Sequence, residues 1–330
     1  AKVGAGEVDL QSRILSLKDY TFLKQSEGKQ NYQVRLWDVG AGSYAALYPN
    51  LTCSDPVWRD VMRDVRFRRA LSLGINRTEI NRVLFFGLAQ PTNNTVLPKS
   101  PLFKPEYREN YVKFDVKAAN ALLDDMGLDQ RNDDGIRLLP DGRPMEIIVE
   151  TTGENPEHDD MLELIGDSWR QIGIKMFVKG LQREVLRNRA YSGETIMSIF
   201  NGVDNGLATA NSVPSEFVPV QQDSLQWPKW GQYYQTDGEA GETPDMPAAK
   251  ELMDLYRKWQ TSNEKGRREA WQGILDINSE NMFSIGLIGN VPQPVVVDKD
   301  LRNVPEKGIH SWEPGAFFGI YRPDTFWWDR

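Results

Sequence analysis

Cysteine, histidine and long apolar runs are what this sequence is short of. Cys53 is the only cysteine, so no internal disulfide can form and the redox compartment is left open. His158 and His310 are the only histidines. Neither has a neighbouring cysteine, no zinc-ligand spacing exists, and both read as surface or supporting residues. The motifs G-x-S-x-G and H-E-x-x-H and a P-loop lysine are missing, which removes the common signatures of serine hydrolases, zinc proteases and nucleotide hydrolases. No stretch approaches the roughly 18 apolar residues that a membrane-spanning helix needs. Base is scarcest in one segment: between Arg189 and Lys250 the only basic residue is Lys229, against eight acids.

What is present describes an ordinary globular chain. Its 330 residues suffice for two domains or one large one, and 26% charged against 40% hydrophobic residues is neither a disordered nor a membrane composition. A net charge of −8 argues against nucleic acid as a main partner, because phosphate binding needs a basic face. Ten tryptophans exceed what a core of this size requires, so some are expected to serve as flat contact surfaces.

Punctuation along the chain gives the elements. Residues 8–28 read as a helix. Residues 32–39 alternate as a strand, with Trp37 on the polar side. The following Gly40-Ala41-Gly42-Ser43-Tyr44-Ala45 fits G-x-G-x-x-[GA], but Pro49 leaves no room for the helix a phosphate-binding turn must open. Asp55-Pro56 starts a short helix. Residues 64–77, DVRFRRALSLGINR, put Phe67, Ala70, Leu71 and Gly74 on one helical face and Arg66, Arg68 and Arg69 on the side toward water or a partner, with Asp64 as N-cap. Asn76 then caps a second helix that Gly87 stops. Residues 90–105, with four prolines and no periodicity, read as an extended surface loop. Asp115 caps the helix from 116. In 129–143 the spacing of Asn132, Asp134 and Gly135 invites a calcium loop, but Gln130 and Asp141 occupy the two positions that carry most of the coordination, and the paired Asp-Gly turns give a β-hairpin.

Residues 145–178 read as strand, helix and strand with short connections, a right-handed βαβ unit that makes the fold α/β. Residues 195–234 start as a strand and then lose all periodicity. A long loop rich in amides and aromatics inside a compact domain is usually functional. Two amphipathic helices follow over 247–260 and 263–281, then short apolar strands and an aromatic tail.

The 64–77 stretch closely resembles the signature of the peptide/nickel class of bacterial solute-binding proteins, solute-binding protein family 5, which reads roughly D-x-R-x-R-x-A-L-x-x-A-I-[DN]-R. Gly74 replaces the usual Ala, and Asn76 the commoner Asp. The turn at 5–10, the ALYPN segment at 46–50, the DG…DG hairpin and the segment IGLIGNVPQPVVVDKDLRNVP carry the same resemblance. It implies an α/β, periplasmic-binding-protein-like (type II) lobe with a mixed sheet and flanking helices, plus a remnant of the other lobe. The expected division is 1–44 for part of the first lobe with a hinge crossing, 45–288 for the second ligand lobe, and 289–330 for the return crossing. The opening AKVGAGEVDL has no apolar signal region, so the chain is expected to be the C-terminal portion of a longer protein whose N-terminal lobe precedes it. The aromatic tail would then pack on that lobe.

The resemblance further implies a periplasmic capture subunit that closes on an oligopeptide-like solute and hands it to ABC permease subunits in the inner membrane, with no cofactor and no metal. The expected ligand contacts are Asn201, Asp204, Trp227, Trp230, Tyr233 and Tyr48, with the tryptophans stacking on the solute and Asp204 pairing with a cationic group. A sugar- or opine-type solute on the same fold is the alternative, separated by charge, since a peptide's termini want both a carboxylate and a base. A carboxylate-dyad glycoside hydrolase stands as the second alternative, because acidic pairs are numerous.

Overall fold

A computed structural model describes residues 1–329. Two sheets organise it. The larger is five-stranded and mixed, in the order Lys175–Gly180, Glu146–Thr151, Met197–Phe200, Ala46–Pro49, Ile285–Gly286. The first three run parallel, and Ala46–Pro49 pairs antiparallel with both its neighbours. The smaller sheet joins Leu10–Gln11, Gln293–Asp298, Tyr32–Val39 and Ile309–His310. This is the mixed α/β architecture that the strand–helix–strand pattern implies.

The helices begin where side-chain caps place them. Asp55, Asp64, Asn76, Asp115 and Asn155 each accept a hydrogen bond from a first-turn amide of the helix that follows, which satisfies donors that would otherwise have no partner. The Asn155 cap and Pro156 open Pro156–Arg170, the crossover between the adjacent parallel strands Glu146–Thr151 and Lys175–Gly180. Its Met161, Leu162, Ile165 and Trp169 are buried in the main core under the larger sheet, alongside Phe67 and Leu71 from Val65–Leu73.

Several expectations change. Residues 8–28 are not one helix but the Leu10–Gln11 strand, a 3-10 turn and the helix Tyr20–Glu27. Trp37 is buried, not on a polar face, because the smaller sheet is covered on both sides: Tyr32 and Val34 face one cluster, while Trp37 faces another with Val295 and Val297. Arg68 does not face water. It is fully buried, donates to the carbonyls of Met62 and Asn281, and lies over the Phe283 ring. The prolines of 90–105 do not mark a surface loop either. Thr92–Leu97 is buried, and Asn94 bridges it to the backbone amide of Val203 at 2.8 Å and to Ser284 Oγ at 2.9 Å.

Two segments cross between the sheets, one after Val39 and one before Gln293, and they are tied to each other: Tyr44 N donates to Ile288 O at 2.6 Å, and Ser43 Oγ bonds the same carbonyl at 3.2 Å. Gly42 is required by close approach, since a Cβ there would lie 2.1 Å from Thr95 O. The groove described next lies beside this double crossing.

Candidate functional site

In an open α/β sheet the loops beyond the carboxyl ends of parallel strands meet on one edge, which is where ligands gather. All three parallel strands obey this here. Thr152, Glu154 and Asn155 follow one, Arg183 follows the second, and Asn201 and Asp204 follow the third; all six line a groove between the larger sheet and the smaller-sheet side of the molecule. The groove has two chambers, of about 530 and 1070 Å³, that share Arg183, Phe200, Asn201, Asp204, Trp312 and Phe317. Functional small-molecule sites run to roughly 300–1,000 Å³, so the space suits a solute of several residues or rings.

The first chamber holds both histidines, His158 from the crossover helix and His310 from the smaller sheet. His158 is 3% exposed, with its ring edge-on to Tyr44. Burial pushes its pKa down to about 4, and burial together with Arg13 does the same to His310, so both are neutral at pH 7. His158 is buried and His310 half-buried, so of the two roles expected the supporting one fits, and spacing alone does not report which face of the crossover helix turns under the groove. Tyr44 donates to Glu157, which fixes the wall between them.

The second chamber is acidic and amide-rich. Glu216 Oε1 accepts from Asp204 N at 3.0 Å. Withdrawal from water, with Asp204 and Glu313 adding negative charge, raises the Glu216 pKa to about 7. The same two influences, burial and then Glu313, raise that of Asp204. Tyr48 donates to Asn201 O at 2.6 Å and is held above its ordinary value by burial and by Glu216. On the opposite wall Arg13 lies over the Phe317 ring and Trp312 is 59% exposed.

Of the six residues expected at the site, the structure gathers three, Tyr48, Asn201 and Asp204, along this chamber. Trp227 and Trp230 are not on it. Both are 0% exposed, stacked on each other at 6.4 Å, with Phe283 edge-on to Trp227 and Arg63 over Trp230. The segment is not without structure: Pro228–Gln235 is a helix opened by Pro228, and it buries Trp230 against the main core. Tyr233 sits half-buried on the same helix, against the turn at Gly238, and lines neither chamber. Sequence reasoning did not single out Glu216, Gln226 or Arg183: the first two lie within the 195–234 loop without any signal separating them from their neighbours, and Arg183 comes from the separate helix Arg183–Ser192.

The match to the family model for bacterial extracellular solute-binding proteins, family 5 (middle region), covers residues 1–224. The chain belongs to this family. Among relatives in sequence, the periplasmic alpha-galactoside-binding protein of Rhizobium meliloti is 22% identical over 255 residues, which is 75% of this chain and 35% of that protein. The solved oligopeptide-binding protein OppA is 31% identical with a TM-score of 0.77, covering 100% of this chain and 54% of that one. The binding protein MelB from agrobacterium fabrum C58, solved with stachyose, superposes with a TM-score of 0.73 at 17% identity over 92% of this chain and 46% of that one; at that identity the likeness is one of fold. The chain thus spans about a third of the R. meliloti protein's length and about half of the solved ones. Solute binding, not catalysis, is what this family is defined by.

Proposed function

We propose that the chain forms most of the solute-binding cleft of a periplasmic ABC-importer capture protein, and that its solute is oligopeptide-like. In this reading the body around the larger sheet, approximately 45–288, is one ligand lobe. Residues 1–44 and 289–330 belong to the other, and binding free energy is spent on closing the two. The observation that carries it is the charge layout of the groove. Asp204 stands on one wall, while Arg13 and Lys18 stand on the other with no ion pair among the described residues. An extended peptide presents an ammonium and a carboxylate, and this layout offers a partner to each. Delivery would be to permease subunits in the inner membrane.

A second reading is favoured by a separate feature. Asn201, Asn205, Asn211, Gln221 and Ser224 give the larger chamber a run of neutral hydrogen-bonding groups, and Trp312 offers an exposed ring on which a sugar face can stack. Calorimetry on the full-length protein decides between them. Binding of short peptides that weakens at least tenfold in Asp204→Asn supports the first reading, whereas binding of raffinose or stachyose indifferent to that change supports the second.

A further inference from the structure

The chain passes from one body to the other at single residues. Gly40 donates its N–H to His310 O of the smaller sheet at 3.0 Å, and its carbonyl accepts from Gly206 N of the larger body at 2.8 Å. Just beyond, Gly42 N donates to Val203 O at 2.9 Å, so the change of allegiance in the first crossing falls at Gly40. The return crossing turns at Asn290, whose φ is +55°, a left-handed conformation that Asn adopts more readily than most residues. A rotation about the line through Gly40 and Asn290 that closes the groove must open whatever lies on the other side.

That other side is built from both bodies. His310 lines the first chamber, while Ile309, its neighbour in the strand, lines a separate cavity of about 160 Å³; successive strand residues point to opposite faces of a sheet. Across this cavity Val39 and Ile309 of the smaller sheet face Leu97, Pro98 and Leu207 of the larger body, and Asn290 reaches its edge. Ser100 Oγ donates to Ala208 O at 2.6 Å and fastens the 97–100 turn to the larger body. From that turn Lys99 Nζ meets Asp38 Oδ2 of the smaller sheet at 2.6 Å. Among the described residues this is the one ion pair that joins the two bodies. The pair is made while the groove is open, with Ile14 on its rim 92% exposed.

We propose that Asp38 and Lys99 form a clasp behind the hinge that opposes closure and so sets part of the solute affinity without touching the solute. As the groove closes, the solute's binding free energy has to part the two charges and wet the apolar wall of the cavity. Apparent affinity falls with the fraction of molecules able to close, so an intact clasp lowers it. The inference rests on the solute-capture reading and deepens it: affinity is tuned on the face turned away from the solute.

The test reads closure itself, by single-molecule energy transfer between dyes on Gln25→Cys and Asp160→Cys of the full-length protein. Both sites are exposed, on the helices Tyr20–Glu27 and Pro156–Arg170 either side of the groove, and Cys53 is buried and stays unlabelled. Casein hydrolysate and, separately, stachyose are the probes. The probe concentration at half closure is expected to fall about two- to fivefold in Lys99→Ala and in Asp38→Ala, the range for an exposed ion pair. It should fall further in Lys99→Glu, where two carboxylates repel, and return to the wild-type value in the exchanged pair Asp38→Lys/Lys99→Glu. An unchanged or raised midpoint in Lys99→Ala, or an exchanged pair that stays at the Lys99→Glu value, overturns the proposal and leaves solute capture standing. If neither probe closes the wild type while Lys99→Glu shortens the unliganded dye distance, the capture reading falls and the clasp stands. A distance that no probe and no variant moves overturns both.

Discussion

Two aromatic groups in this molecule have similar composition and opposite fates. Trp227 and Trp230 come from an acidic, amide-rich segment that reads as a binding loop, and both are fully buried among Phe283 and the main core. Trp312 and Phe317 come from a tail that reads as packing surface, and both line the groove. The difference lies in the element on which each pair sits. Pro228 fixes the first turn of a helix that begins just after Trp227, and that turn carries Trp230 into the main core. The tail has no such element around Trp312, which stays 59% exposed. Aromatic content therefore marks where large side chains are, while the local start signal decides whether they face the core or the solute.

The largest expected effect breaks the comparison if it fails. Trp230→Ala, and separately Trp227→Ala, should each cost about 3–5 kcal/mol of stability, the range for truncating a buried Trp, read by urea unfolding. A variant with unchanged stability and lost affinity would return the pair to the site. Trp312→Ala should do the reverse, weakening solute binding by about 1–3 kcal/mol as an exposed aromatic anchor does, with the melting temperature nearly unchanged. Calorimetry beside a thermal scan separates the two outcomes.

Acid and base behaviour sharpens the contrast between the chambers. Glu216, with its folded-state pKa raised to about 7, binds its proton more tightly folded than unfolded, so it contributes stability that declines as pH rises from about 4.5 toward 7. His158 and His310, lowered to about 4, are neutral when folded and charged when unfolded below about 6.5. Their contribution is therefore lost as pH falls from there toward 4. Glu216→Gln should flatten the neutral-side decline by about 1–3 kcal/mol, and His158→Gln should flatten the acid limb instead. Unfolding free energies measured at half-unit pH steps would show both. A Glu216→Gln curve parallel to wild type would mean that the carboxyl is solvated.

Much of this is legible in the sequence. The caps at Asp55, Asp64, Asn76, Asp115 and Asn155, the βαβ unit and the resemblance carried by 64–77 are local signals, and they fall where the chain makes helices and strands. Asp204 and Asn201 were legible because they directly follow a strand end, a position with general meaning in α/β sheets. Burial was the weak point. Arg68 looks solvated in a helix of arginines, yet carbonyls at Met62 and Asn281 wait for it. Glu216 and Gln226 become partners only once Pro228–Gln235 and the segment before it fold back under Ala46–Pro49, where Leu51 N donates to Gln226 O. No period in the sequence encodes such a meeting.

Tyr233 supplies the smallest effect and a control on the other two pairs. It shares a helix with Trp230 but points away from the core, half-buried, with its ring against the Gly238 turn and its own carbonyl accepting from Gly238 N at 2.9 Å. It reaches neither chamber. Removing the ring gives up only the part of its surface that packs on the turn, roughly 1 kcal/mol, because partial burial of an aromatic returns only a share of the full transfer energy. Tyr233→Ala should therefore leave solute affinity within about twofold of wild type and shift stability far less than Trp230→Ala. A tenfold loss of affinity at full stability would place the outer face of Pro228–Gln235 in contact with the solute. The groove would then extend around the helix, and the division between core-facing and solute-facing aromatics drawn from Trp230 and Trp312 would fail at its middle term.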